Sequence, residues 1–322
     1  MTETMLQAKK DFSRFGFGLF AIGIVTVAAQ FLLSLVWNGY LRQTALGQME
    51  IIRWLLTLAP MYLFAFPVGL LVIKKIPSES TEKQKLSFGR LLLLMLICMP
   101  VMYGGNMIGN ALSAMLSGGT AENAILDYIL GNPWYSFVFT VLLAPFMEEF
   151  LFRKQIIDRL GKYGEKNAIF FSAITFGLFH MNLFQFFYAF GLGLIFAYVY
   201  TRTRMLRYPV IMHMVINFMG GVIAPMLLQM LDLELLTSPE TATIEQLMQI
   251  LPGMIAYLGY ALLLMGCSIA GLVVIAVRWK KAHFQSASRE LLPGTGVEVI
   301  RRSPGMIVFT VFCLVMIVLA LL

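Results

Sequence analysis

The chain has 322 residues, of which 59% are hydrophobic and only 13% charged, and its mean hydropathy is +0.80. Soluble domains carry about 25% charged residues, so a single water-soluble core is excluded and lipid must solvate most of the surface. The net charge of +7 comes from short basic runs between apolar segments. That pattern marks topology, and no long basic stripe with interleaved aromatics offers a nucleic-acid face.

A helix needs roughly 20 apolar residues to cross a ~30 Å hydrocarbon core. The first candidate, 15–38, follows the charged arm MTETMLQAKKDFSRF. No small-residue cleavage signature follows it, so it reads as a retained span. Then come 51–74, 88–117, 134–160, 167–181, 184–201, 207–229, 252–279 and 305–322; 167–181 is short and 305–322 reaches the C-terminus. The runs are continuous rather than alternating, which favours helices, one of two structures that satisfy their backbone in lipid. The expected fold is all-α: a polytopic transmembrane bundle of about nine (eight to nine) spans. Gly105 and Gly109 have the small-xxx-small spacing of close helix packing.

Loop charge orients these spans. Lys9, Lys10 and Arg14 precede the first; Lys74, Lys75, Lys83, Lys85 and Arg90 follow the second. Further basic groups are Arg153, Lys154, Arg159, Lys162 and Lys166; Arg202, Arg204 and Arg207; and Arg278, Lys280, Lys281, Arg289, Arg301 and Arg302. The loops between are acidic or nearly neutral, with Glu122 and Asp127 in one and Asp232, Glu234, Glu240 and Glu245 in another. Alternation places the N-terminus in the cytoplasm and the C-terminus outside. Cys98, Cys267 and Cys313 lie in apolar runs without a CxxC pair, against a disulfide framework or a thiolate zinc site.

An ionisable residue within a membrane helix is a functional candidate by default. The segment LLAPFMEEFLFRKQ holds Glu148, Glu149 and Arg153; AITFGLFHMN holds His180; VIMHMVINFM holds His213 and Asn217. The chain's other histidine, His283, lies in a basic loop. Glu148 and His180 each lie about 18–20 Å along their helices from the turn at 161–166, so they are level. Glu149 and Arg153 are i and i+4 and can pair, whereas Glu148 points about 100° away with Phe152 at its own i+4 position. A carboxylate left free in an apolar setting holds a proton more readily, which suits Glu148 to general-base work and Glu149 to positioning. His213 and Asn217 share a face and can donate hydrogen bonds to a developing oxyanion.

The motifs EEFLFR, FGLFH and HMVIN resemble the EExxxR, FxxxH and HxxxN motifs of the CPBP intramembrane peptidases, a family that includes CAAX prenyl endopeptidases and bacterial Abi, or bacteriocin-immunity, proteins. The resemblance covers 130–222, an expected catalytic helical core between N-terminal helices in 1–129 and C-terminal helices in 223–322. It implies peptide-bond hydrolysis within the membrane, with Glu148 as catalytic glutamate, Glu149 as its neighbour, His180 activating water, and His213 with Asn217 stabilising the oxyanion. It does not imply a CAAX substrate.

The expected function is therefore that of an intramembrane endopeptidase in a bacterial cytoplasmic membrane, acting on a peptide or membrane-protein substrate within the lipid bilayer. The alternative is a catalytically silent scaffold or bacteriocin self-immunity protein that binds at the same site. No cofactor is favoured. Zinc is chemically possible through His180, His213 and Glu148, but no HExxH pair exists, and Asn217 beside His213 is a poor zinc ligand and a good oxyanion donor.

Overall fold

The computed structural model describes residues 2–79, 82–232, 235–236 and 243–322; Glu234 and Glu240, counted above in an outer loop, lie outside them. Seven described helices are long and apolar enough to cross a membrane: α1 (Glu3–Leu41), α2 (Glu50–Ile73), α3 (Phe88–Ser117), α4 (Pro133–Tyr163), α6 (Leu183–Thr203), α7 (Arg207–Gln229) and α8 (Ile244–Arg278). Between α4 and α6 lies the shorter α5 (Glu165–Phe179). At the C-terminal end α9 (Thr295–Arg301) and α10 (Pro304–Leu319) form a pair bent by 69°, which makes an eighth span if counted as one.

The protein is thus an all-α polytopic membrane bundle. The expected span at 305–322 counts only as α10 together with the bent α9, and the one at 167–181 falls short altogether. Its 15 residues reach only about 22 Å at 1.5 Å per residue, and its chain turns back at His180–Asn182 into α6. The alternation of basic loops survives this, because α5 and α6 leave from and return to the same basic side.

Lipid-facing surface and core divide by element. α8 exposes Leu258, Leu262, Val273 and Val277, as α1 exposes Phe31, Leu32 and Leu35. α5 instead buries most of its length, including Ala168, Phe171, Ser172, Thr175 and Phe176. One apolar cluster joins α1, α2, α4, α5, α6 and α10 around Phe12, Phe15, Phe66, Phe152 and Phe309; a second joins α3, α6, α7 and α8 around Cys98, Phe196, Met212 and Leu264. Gly105 and Gly109 meet the α6 backbone so closely that a Cβ would collide at Tyr188 or Leu183.

Three spans carry a π turn just before a proline. Phe66 N–H bonds the Met61 carbonyl before Pro67, Ala144 N–H bonds that of Phe139 before Pro145, and Ala224 N–H bonds that of Met219 before Pro225. Proline lacks the N–H that would continue the α ladder, and a π turn accommodates the break without ending the helix. A further π turn, Phe150–Gln155, follows Glu149 directly.

The basic connectors are more than solvated topology signals. Lys162 is buried against Asp11 at 3.2 Å, and Tyr163 Oη donates to Asp11 at 2.7 Å. Asp158 receives Arg204 at 3.3 Å and the Tyr200 hydroxyl at 3.0 Å, and Glu165 pairs with Arg202. The segment after α8 folds over this turn, with Arg289 N–H donating to the Lys162 carbonyl at 2.9 Å. The α4–α5 turn is therefore clamped at one end, which fixes the height of the polar residues further along both helices.

Candidate active site

The site is built around Glu149. Its carboxylate is fully buried and lies 2.8 Å from Arg153 Nε, one turn later on α4. Arg153 is also fully buried; its Nη1 donates to Ser172 Oγ on α5 at 3.2 Å, and Ser172 donates to the Phe152 carbonyl at 2.6 Å. The guanidinium lies 4.5 Å from the Phe176 ring centroid, a cation–π contact in a desolvated setting. The other Glu149 oxygen accepts from His213 Nδ1 on α7 at 2.9 Å. One carboxylate thus ties α4 to α7, while Arg153 ties α4 to α5. Removing one member of such a buried ion pair costs about 3–5 kcal/mol.

Glu148 is placed differently. Its carboxylate keeps 19% exposure, lies 3.8 Å from His213 Nε2, and makes no other ion pair among the described residues. It lines a cavity of about 510 Å³ together with His180, His213 and Asn217. The same cavity is bounded by Trp54, Met61, Phe139, Leu192 and Phe196. Such a concave, largely apolar chamber with a few convergent polar groups has the form of a ligand site.

His180 ends α5, and its Nδ1 lies 2.8 Å from the Phe176 carbonyl. A carbonyl only accepts, so Nδ1 carries the proton and Nε2 keeps a free lone pair. The turn after it is tight. Met181 sits at φ 54°, and Asn182 caps α6 by accepting from Gln185 N–H while its amide donates to the His180 carbonyl at 2.8 Å. A left-handed non-glycine residue costs about 1–2 kcal/mol, here offset by the bonds that hold the histidine in place. Asn217 donates one amide proton to the Thr140 carbonyl at 2.8 Å, inside the π turn of α4, and has a second still to offer.

All six sequence candidates are therefore brought together: four line the cavity, and Glu149 and Arg153 lie behind it. The sequence reading missed the contact of Glu149 with His213, and it missed Ser172. It also missed the polar groups on the cavity wall: Tyr62, whose buried hydroxyl has no partner among the described residues, Asn106, Gln185 and Tyr188. Tyr62 was legible only as a polar tip in an apolar span, and Ser172 only as a residue two turns before His180. Among the described residues no three His, Cys, Asp or Glu side chains converge as a metal-holding group. The zinc set considered from sequence, His180, His213 and Glu148, lines the same cavity, and His213 Nδ1 lies 2.9 Å from Glu149.

Residues 130–219 match the family described as type II CAAX prenyl endopeptidase Rce1-like. A protein of Bacillus subtilis (strain 168), "Putative membrane peptidase YdiL", is 29% identical over 159 residues, covering 47% of this chain and 64% of that protein. The aligned region thus spans somewhat less than two thirds of the relative's length. No solved structure matches the chain significantly. The matched segment contains α4, α5, α6 and most of α7, so the residues around Glu149 fall within it: over 130–219 the chain is similar to the type II CAAX prenyl endopeptidase Rce1-like family and, in part, to a putative membrane peptidase.

Proposed function

We propose that this protein is an intramembrane endopeptidase whose water is activated by Glu148 and His180. The observation that carries this reading is the asymmetry of two adjacent carboxylates. Glu149 is engaged by Arg153 and His213, whereas Glu148 faces a chamber it shares with the free Nε2 of His180.

In this mechanism a water bound between Glu148 and His180 gives a proton to Glu148 as it attacks the scissile carbonyl carbon. The carbonyl becomes a tetrahedral oxyanion, which accepts from the remaining Asn217 amide proton and from His213 Nε2–H. His213 offers that proton when its ring carries both. In that form the charges of Glu148, Glu149, Arg153 and His213 sum to zero, which suits an apolar site. Glu148 then passes its proton to the leaving amine, and the bond breaks. No step uses a metal.

The substrate is a peptide or a membrane protein with apolar side chains, because the chamber wall is chiefly aromatic and aliphatic. The cell membrane of a bacterium, with the N-terminus in the cytoplasm, is the proposed location, supported by the bacterial relative and by the basic loops. The test is incubation of the purified protein in lipid vesicles with a library of apolar peptides, followed by mass spectrometry of new termini. Cleavage by the wild type and none by Glu148→Gln is expected. Peptides bound but uncut by the wild type would favour the binding scaffold instead.

A further inference from the structure

A second concavity lies away from the peptidase chamber, at the basic end of the bundle. Its volume is about 560 Å³, and it is formed by Leu6, Lys9, Lys10, Ser13, Arg14 and Phe17 of α1, Val72 and Lys75 at the end of α2, and Pro304 at the start of α10. Four cations line it and no carboxylate does. None of the four takes part in an ion pair among the described residues. Some other cations on this side are paired, as Lys162 is with Asp11 and Arg204 with Asp158.

The walls are held by bonds that leave the ammonium groups free. Arg14 Nη1 donates to the Lys75 carbonyl at 3.3 Å and joins α1 to the end of α2. Gly305 N–H donates to Ser13 Oγ at 2.9 Å, and Ser303 Oγ donates to the Lys9 carbonyl at 3.2 Å, joining α1 to α10. Gly16 and Gly305 meet backbone to backbone, so these helices pack without a side chain between them. The groove is therefore built into the fold.

Its chemistry is graded with depth. The cations lie in the first turns of α1 and at the end of α2, beside the start of α10. Phe17 lies about 10 Å further along α1 than Lys10; the residue is 42% exposed and lines the groove with Val72. A phosphate among the cations with an acyl chain on Phe17 satisfies both ends, whereas a soluble anion would leave the apolar end bare.

We propose that this groove is a binding site for an anionic phospholipid, its phosphate held by Lys9, Lys10, Arg14 and Lys75 and an acyl chain laid against Phe17 and Val72. The site is independent of the peptidase reading. Clustered basic groups at the cytoplasmic end of membrane helices attract anionic lipid; the inference here is that a particular preformed groove does so.

The full-length protein in detergent is titrated with phosphatidylglycerol or phosphatidylethanolamine and read by native mass spectrometry. Glycerol 3-phosphate serves as the chain-free probe. Three proteins are compared: the wild type, Lys10→Gln with Lys75→Gln, and a control with Lys83→Gln and Lys280→Gln, all exposed positions. Expected are preferential retention of phosphatidylglycerol by the wild type and control, and binding weaker on the order of twentyfold in the groove variant. Equal weakening in both variants would reduce the effect to general surface charge and overturn the site. So would unchanged binding in the groove variant, or glycerol 3-phosphate bound as tightly as the lipid.

Discussion

Glu148 and Glu149 are neighbours in sequence and opposites in environment, and that difference can be measured. Glu148→Gln keeps the side chain's shape and removes a carboxylate that makes only the long 3.8 Å approach to His213. Cleavage is expected to be lost with the thermal midpoint in detergent nearly unchanged. Glu149→Gln leaves Arg153 without its counter-charge and weakens the bond to His213, so stability is expected to fall by about 3–5 kcal/mol along with activity. Full activity in Glu148→Gln would overturn the assignment. Tyr62→Phe removes a buried hydroxyl that has no partner among the described residues. Deleting such a group is nearly neutral or stabilising, so its thermal midpoint is expected to hold or rise. The i,i+4 relation of Glu149 to Arg153, and the opposed direction of Glu148, were legible in the sequence because both are local on one helix. The partnership of Glu149 with His213 was not, since those residues are 64 positions apart and their meeting depends on how α4 crosses α7. Likewise, spacing gave His213 and Asn217 a common face but not the Thr140 carbonyl that takes one of the Asn217 protons.

At the scale of elements, α3 offers a paired test. Gly105 lies against the α6 backbone, whereas its neighbour Gly104 has open space around it. Gly105→Leu is expected to force α3 from α6, at a cost of about 1–3 kcal/mol or more, and to lower activity through the shifted Gln185 and Tyr188. Gly104→Leu is expected to be harmless, and a better helix former there can even help. Thermal melts of both variants in detergent decide this; equal losses would mean that close approach is not the reason for Gly105. The long apolar runs made α1 to α4 and α6 to α8 readable, because a span announces itself by length. α5 misled for the same reason. Its residues are as apolar as those of a span, since they are buried in protein rather than in lipid, and composition does not distinguish the two.

At the scale of the whole molecule, the sidedness proposed from the basic loops can be tested at described, exposed positions. With native cysteines removed, Glu82→Cys is expected to react with an impermeant maleimide only from the cytoplasmic side. Glu122→Cys is expected to react only from the outside. Labelling of both from one side would refute the arrangement, because α3 alone separates them. Metal dependence is likewise a property of the assembled protein. Purified, active enzyme is expected to contain substoichiometric zinc and to keep cleaving after chelation. Stoichiometric zinc whose removal stops cleavage and whose return restores it would make His180 and His213 ligands and replace the mechanism.

The π turns before Pro67, Pro145 and Pro225 also set the angular phase of each helix. A π turn holds, in effect, one extra residue, and one residue is worth about 100° of rotation in an α-helix. Within α4 the turn at Phe137–Leu143 lies between the helix start and Glu148. If one residue of that turn were deleted and the ladder closed to the α form, the two segments of α4 would counter-rotate by that angle. Thr140 and Glu149 could then no longer both face α7, where Asn217 and His213 await them. The register of the proposed catalytic groups is thus written partly as a count of residues in an apolar stretch of α4 without a charged side chain. A single-codon deletion there should be as damaging as loss of a charged side chain.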